Sequence, residues 1–349
     1  MRIASTVLSL ALMGLLVVSW VAHAKYPGAN GPIAFGRLAR AIDGHHLFTV
    51  DPDGKHERRL LPGDAESPIW SPDGGKILVT LFRADAAVRP ATVNPDGSGV
   101  RLLDNPAPMD IGCSAWSPDG TRLLCQGTSE RHPEFNGLYT VRASDGGGLV
   151  RLTDNPFDRA DIAGDYSPDG ARITFTRQMP GRRVPKGAVF VANADGTGLQ
   201  QITPFGVPDH DEVPKWSPDG TGILFGSVPE KLVVVRPDGT SLTKITPRTL
   251  GEGRAKKFEN KLLKQCKERG GKDRCKEKAQ RKAKRKATAI GFDPGWSPDG
   301  KHIVFSLRFR PAGRVDIYTA RSDGTHLIQI TDTRKFETFS DWGPRPPAP

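Results

Sequence analysis

The chain is 349 residues long, 37% hydrophobic and 26% charged, with a formal net charge of +11. That length is ample for one domain with a buried core. No second long apolar run follows the N-terminal one, which excludes a membrane-spanning helix from the remainder. The charge is local: residues 248–288 hold 17 Lys and Arg against 5 Asp and Glu, so everything outside them sums to −1.

In sequence order, Met1–Ala24 reads as a secretory leader. Arg2 supplies the positive start, Leu8 to Val18 the apolar run, and Ala22-His23-Ala24 the small-x-small site, with cleavage expected after Ala24. No cysteine stands there to carry a lipid, so the expectation is a secreted or periplasmic protein. Ile33-Ala34-Phe35-Gly36 is then a short strand with no inner strand of its own. Trp70-Ser71-Pro72-Asp73-Gly74 opens a repeat that returns at Trp116, at Tyr166 (Tyr for Trp), at Trp216 and at Trp296. An eroded copy, Asp341-Trp342-Gly343-Pro344, comes last. The spacings are 46, 50, 50, 80 and 46 residues, and a period in the forties marks a propeller or solenoid array.

Each copy precedes a strand-like run such as Ile77-Leu78-Val79-Thr80 or Ile303-Val304-Phe305. A second turn follows in every unit, for example Asn94-Pro95-Asp96-Gly97 and Arg236-Pro237-Asp238-Gly239, between alternating apolar segments. Four strands in each of six units predict an all-β, six-bladed propeller. In the turns Pro presets φ, Asp tolerates the next position and Gly accepts φ > 0. The aromatic ahead of each turn is expected to pack between blades. Phe339-Ser340-Asp341-Trp342 also lacks a blade, so this C-terminal strand is expected to complete the first blade and close the ring, removing exposed edges.

The five intact copies resemble the TolB-like propeller repeat, whose consensus is close to Pro-x-Trp-Ser-Pro-Asp-Gly-x-x-Ile-x-Phe, and the resemblance covers essentially everything after the leader. It implies the propeller fold; it does not imply a function, because propellers host unrelated activities. TolB carries an α/β domain ahead of its propeller. Here the first propeller strand follows closely on the leader, so TolB's complete role is not carried over.

Strand order puts both Asp-Gly turns of every blade on one face, which reads as constant scaffold. The opposite face receives the variable loops 38–45, 83–89, 128–137, 178–187 and 308–314 and the links between blades, and irregular loops on a rigid support are where binding usually lives. Each link carries an acid shortly before the aromatic: Glu66 (with Asp64), Asp110, Asp161 (with Asp158), Asp211 (with Glu212), Asp293 and Glu337. Together they suggest an acidic collar at the channel mouth, suited to Ca²⁺ or to a basic segment of a partner. Ordinary solvated loops would show the same composition.

The link between blades 5 and 6 contains the basic insert, 248–288. Phe258, Leu262 and Cys266 recur at helical spacing, as do Cys275, Ala279, Ala283 and Ala287, with Gly270-Gly271 permitting a reversal; a short basic helical hairpin is predicted. Lys256, Lys257, Lys261, Lys264, Lys282, Lys284, Arg285 and Lys286 make it a candidate site for polyanions, including nucleic acid, anionic envelope polymers and lipid headgroups. A solvated arm and a lid over the channel are the other readings. Four cysteines in an exported protein favour disulfides. The local pairing, Cys113 with Cys125 and Cys266 with Cys275, is preferred among the three that four cysteines allow.

No catalytic constellation emerges. There is no Gly-x-Ser-x-Gly elbow, His-Glu-x-x-His or phosphate-cradling loop. His45, His46, His132 and His210 fall on the variable face but on different blades. The leading expectation is a monomeric, non-catalytic exported propeller that needs no cofactor and binds a protein or envelope polymer through its loop-rich face. One alternative is a metal-dependent carbohydrate-active enzyme of the lyase type in the channel, as in lyases that propellers of this kind resemble. The other is a polyanion-binding protein acting through the insert.

Overall fold

The computed structural model describes residues 28–38, 44–82, 88–104, 109–154, 159–179, 185–207, 213–227, 231–245, 289–309, 314–333 and 335–345, together with Asn260, Leu263, Lys264 and Glu277. The leader, Asp158, His210, Asp211, Glu212 and the Cys266–Cys275 pair lie outside the described residues. Within 248–288 the four described residues are helical. They are too scattered to establish the expected hairpin, and apart from the exposed Lys264 the candidate polyanion residues lie outside the description as well.

Among the described residues, twenty-four strands form six four-stranded antiparallel sheets. Blade 1 begins with β1 (Asn30–Leu38), β2 (His45–Val50) and β3 (Arg58–Leu61). Blade 2 follows as β4 (Ala65–Trp70), β5 (Ile77–Phe82), β6 (Val88–Val93) and β7 (Arg101–Leu102). Blade 3 comprises β8 (Asp110–Trp116), β9 (Arg122–Thr128), β10 (Gly137–Arg142) and β11 (Val150–Arg151). Blade 4 runs through β12 (Ala160–Tyr166), β13 (Arg172–Met179), β14 (Lys186–Asn193) and β15 (Gln200–Gln201). Blade 5 has β16 (Lys215–Trp216), β17 (Ile223–Ser227), β18 (Lys231–Val235) and β19 (Thr243–Ile245). Blade 6 has β20 (Ala289–Trp296), β21 (His302–Phe309), β22 (Val315–Arg321) and β23 (Ile328–Gln329). The last strand, β24 (Glu337–Pro344), returns to pair with β1 as the inner strand of blade 1, with Ile33 opposite Trp342. The ring is closed as the sequence suggested.

The repeated motif builds a turn and a wedge. In the turn, Gly donates its N–H to the Ser carbonyl (Gly74 to Ser71, 2.9 Å; Gly300 to Ser297, 2.9 Å) and takes φ of +70° and +67° at these two positions. The Ser hydroxyl, buried, donates to the Asp carboxylate at 2.6 Å in Ser71–Asp73, Ser117–Asp119, Ser217–Asp219 and Ser297–Asp299. The same hydroxyl accepts the N–H that starts the next strand, Lys76 or His302 for instance. Burial pushes these carboxyls up, but the hydroxyl and the amide two residues on outweigh it and hold Asp73, Asp119, Asp219 and Asp299 below the usual carboxylate range.

The aromatic is the wedge. Six buried apolar clusters each join two neighbouring blades, and each contains one motif aromatic. Trp342, for example, packs with Ile33 and Val50 of blade 1 and Val304 and Ile317 of blade 6. Polar links follow the wedges. Trp116 and Trp296 donate their indole N–H to the carbonyls of Ile69 and Lys215 on the preceding blade, at 3.1 and 3.2 Å. Asp341 and Asp165 reach forward to the backbone N–H of Trp70 and Trp216, at 2.8 and 3.3 Å.

At the joint between blades 6 and 1 the apolar contact is joined by charge. Glu337, fully buried, accepts from Arg37 Nε at 2.6 Å, from Thr333 at 2.9 Å and from Thr331. Arg37 also forks onto Glu57 at 2.7 and 2.6 Å. Burial works against its charge, yet the bonds and proximity of Glu57 and Glu337 hold its pKa above the ordinary value. Asp316 on β22 is 1% exposed. Burial, aided by the nearby Glu337 and Asp332 and opposed by Thr333 N–H and Arg314, pushes its carboxyl up from 3.8 to about 6.

Two outcomes are expected. Deleting 337–349 removes a wedge and leaves Arg37 without its buried partner, and should cost more than about 5 kcal/mol in chemical denaturation. Because folded Asp316 holds its proton more tightly than the unfolded state does, its contribution is fully present below about pH 4 and is lost as pH rises through about 6. Asp316→Asn should therefore remove on the order of 2 kcal/mol of the stability difference between pH 4 and pH 7.

Candidate functional site

The inner strands enclose a channel of ≈ 950 Å³ that touches all six blades. Its wall is built from the starts of the inner strands and the ends of the second strands. These segments adjoin the variable loops, so this part of the channel lies toward the loop-rich face. One register supplies a ring: the residues three positions before each motif aromatic, Ser67, Cys113, Ala163, Val213, Asp293 and Phe339, all line it. Strand pairing slips next to Ser67, Asp293 and Phe339, and these three residues have left-handed φ of +53°, +50° and +54°. Bulges of this kind re-aim side chains beside functional sites. Pairing also slips beside Cys113 and Ala163, but at this ring position the left-handed φ occurs on the neighbouring blades 6, 1 and 2.

The wall is mainly apolar and aromatic, with Phe82, Phe292 and Phe336 at the loop end. Phe82 is 38% exposed, and the rings of Phe292 and Phe336 lie 6.5 Å apart. Its charged side chains are Glu66, Asp293, Asp341, Lys215 and Arg308.

The structure brings together only part of the expected acidic collar. Glu66 and Asp293 line the channel. Glu66 lies 3.0 Å from His45 Nδ1, and Asp293 accepts the Phe339 N–H at 3.3 Å. Asp110 is exposed at the start of β8 and outside the wall. Asp161, 4% exposed, is gripped by Arg177 at 2.7 and 2.8 Å, and that guanidinium also stands over Phe175 and Phe190 at 5.5 and 5.2 Å. Glu337 is committed to Arg37 as described. Asp211 lies outside the described residues. The physical reason is register: the acids sit three to six residues before their aromatics, and in a strand each step reverses the face.

Among the described residues no group of three or more His, Cys, Asp or Glu side chains has an arrangement that would hold a metal ion. His132 pairs with the exposed Glu134 at 3.1 Å, away from the channel wall. Cys113 and Cys125 are directly opposed across β8 and β9 and form a disulfide. No helix of the described residues is long and apolar enough to cross a membrane. The sequence reasoning missed Asp341, Lys215 and Arg308 on the wall. The first two immediately precede a motif Trp, a positional signal that counting acids overlooks.

The architecture defines a class: a six-bladed propeller sealed by its C-terminal strand, with a phenylalanine-rimmed channel open on the loop face. No family model matches the sequence, and no curated protein does. Among solved structures, TolB from Acinetobacter baumannii superposes with a TM-score of 0.63 at 17% identity, covering 92% of this protein and 68% of that one. A putative TolB from Agrobacterium tumefaciens gives 0.56 at 17% identity, covering 90% and 99%. Kuenenia stuttgartiensis hydrazine synthase gives 0.61 at 15% identity, covering 91% and 47%. At these identities the likeness is one of fold: the TolB-like propeller suggested by the repeat is the architecture observed.

The two kinds of acid should behave differently. Asp161→Ala strands a buried guanidinium and is expected to cost about 3–5 kcal/mol, whereas Asp110→Asn should stay within about 0.5 kcal/mol of the parent. Urea titration distinguishes them.

Proposed function

We propose that the protein is an exported, non-catalytic propeller that binds a protein partner, taking an extended segment of it into the channel mouth on the loop-rich face. The observation that carries this reading is the wall itself. Phe82, Phe292, Phe336 and Phe339 offer apolar area around a ≈ 950 Å³ opening, while most of the charged groups beside them are occupied by bonds within the protein. Such a pocket, apolar with a few fixed polar groups, suits ligand side groups. Likeness to TolB propellers supports the scaffold. Export is supported by the N-terminal leader sequence and by the disulfide, which belongs in an oxidising compartment.

A second reading rests on the net +12 of residues 248–288: the insert binds polyanions through counterion release. Retention on heparin that is lost when 248–288 is deleted and falls steeply with salt is its test.

For the leading reading, protein corresponding to residues 25–349 is immobilised and challenged with envelope extract. A partner retained by the parent and by Lys55→Glu on the constant face, but lost with Phe82→Glu at the mouth, is the expected result. Equal retention by all three, or turnover of a polysaccharide by the parent, overturns it.

A further inference from the structure

The charged residues of the channel wall are unequal. Glu66 is held by His45 at 3.0 Å, Asp341 accepts the Trp70 N–H at 2.8 Å, Asp293 accepts the Phe339 N–H at 3.3 Å, and Lys215 Nζ donates to the Ser114 carbonyl at 2.8 Å. Arg308, on β21, has no ion pair among the described residues, and its Nε–H is sealed from solvent with no acceptor. A second orphan lines the same channel. Ser340 is 7% exposed on β24, and its buried Oγ has no partner. β24 packs against both β20 and β21, so the two unsatisfied groups belong to one sector, between blades 6 and 1. The left-handed Asp293 and Phe339 belong to the same sector.

A buried donor without an acceptor forfeits its hydration and gains nothing in return, and folded proteins leave few of them without a reason. A guanidinium presents a planar fork of N–H donors that matches a carboxylate through two parallel bonds. On the same wall, Phe292 and Phe336 give apolar surface for whatever flanks that carboxylate. The acids of the wall are already engaged, so a carboxylate arriving with a ligand would meet a guanidinium without a competitor among the described residues.

We propose that Arg308 is the specificity residue of the channel, receiving a carboxylate of an extended acidic peptide, with the phenylalanines holding an adjacent apolar side group. This rests on the polypeptide-binding reading above and names the chemistry it selects. The carboxylate comes from an Asp or Glu residue of the peptide or from its C-terminus.

The test is selection of displayed random dodecapeptides on protein corresponding to residues 25–349, once with the library's C-termini free and once with internal display. Selected peptides are resynthesised and titrated by fluorescence anisotropy against the parent, Arg308→Gln, Arg308→Lys and Phe82→Glu. Enrichment of Asp and Glu, or of free C-termini, is expected with the parent. Affinity should weaken about ten- to hundredfold in Arg308→Gln and less in Arg308→Lys, which keeps charge without the fork. Internal display that still yields acidic binders assigns a side-group carboxylate; binders confined to free C-termini assign the terminus. The melting temperature of Arg308→Gln should equal or exceed that of the parent, because the guanidinium has no ion pair among the described residues; a marked fall would make Arg308 structural and overturn the proposal. Peptides that need Phe82 but bind Arg308→Gln and the parent alike overturn it while leaving the polypeptide reading intact. Peptides indifferent to both substitutions, or none selected, overturn both.

Discussion

A four-stranded blade has apolar residues on both faces and buries neither alone, so every other feature of this protein depends on burial against the next blade. The six wedge aromatics carry that burial, one per joint. Full burial of one large apolar residue contributes on the order of 2–3 kcal/mol, and the ring lets each wedge count on two sides. The Ser–Asp turn keeps the wedge in place. It fixes the reversal immediately after the aromatic and satisfies donors that the reversal would otherwise orphan.

Closure adds a problem that the other joints do not share, because the inner strand of blade 1 comes from the far end of the sequence. Apolar contact alone would be indifferent to small slips of β24 along β1. The Glu337–Arg37–Glu57 arrangement has directional bonds and a steep penalty for mispairing once buried. It sets the register that brings Trp342 opposite Ile33 and Asp341 onto the next blade. The raised carboxyl of Asp316 is a by-product of crowding acids there.

The same closure shapes the channel. Bulges at Ser67, Asp293 and Phe339 fall on the closing blade and its two neighbours, and this is the sector where Arg308 and Ser340 stand unsatisfied. The left-handed residues of the inner strands separate this sector from the rest of an otherwise repetitive ring.

Much of the fold was legible in the residues. The Trp-Ser-Pro-Asp-Gly period encodes turn, wedge and blade count locally, and the unpartnered segments Ile33–Gly36 and Phe339–Trp342 already required each other. The facing of Cys113 and Cys125 follows from their nearly equal distance to the turn between them. The site was only partly legible. Acids near the aromatics could be counted, but whether a side chain enters the channel depends on its offset from the aromatic and on bulges that shift the register, which composition does not report. Asp161 and Glu337 look like Glu66 and Asp293 in the sequence. Only the tertiary structure, by placing Arg177 and Arg37 beside the first two and the channel beside the others, decided which carboxylates are scaffold and which line the channel.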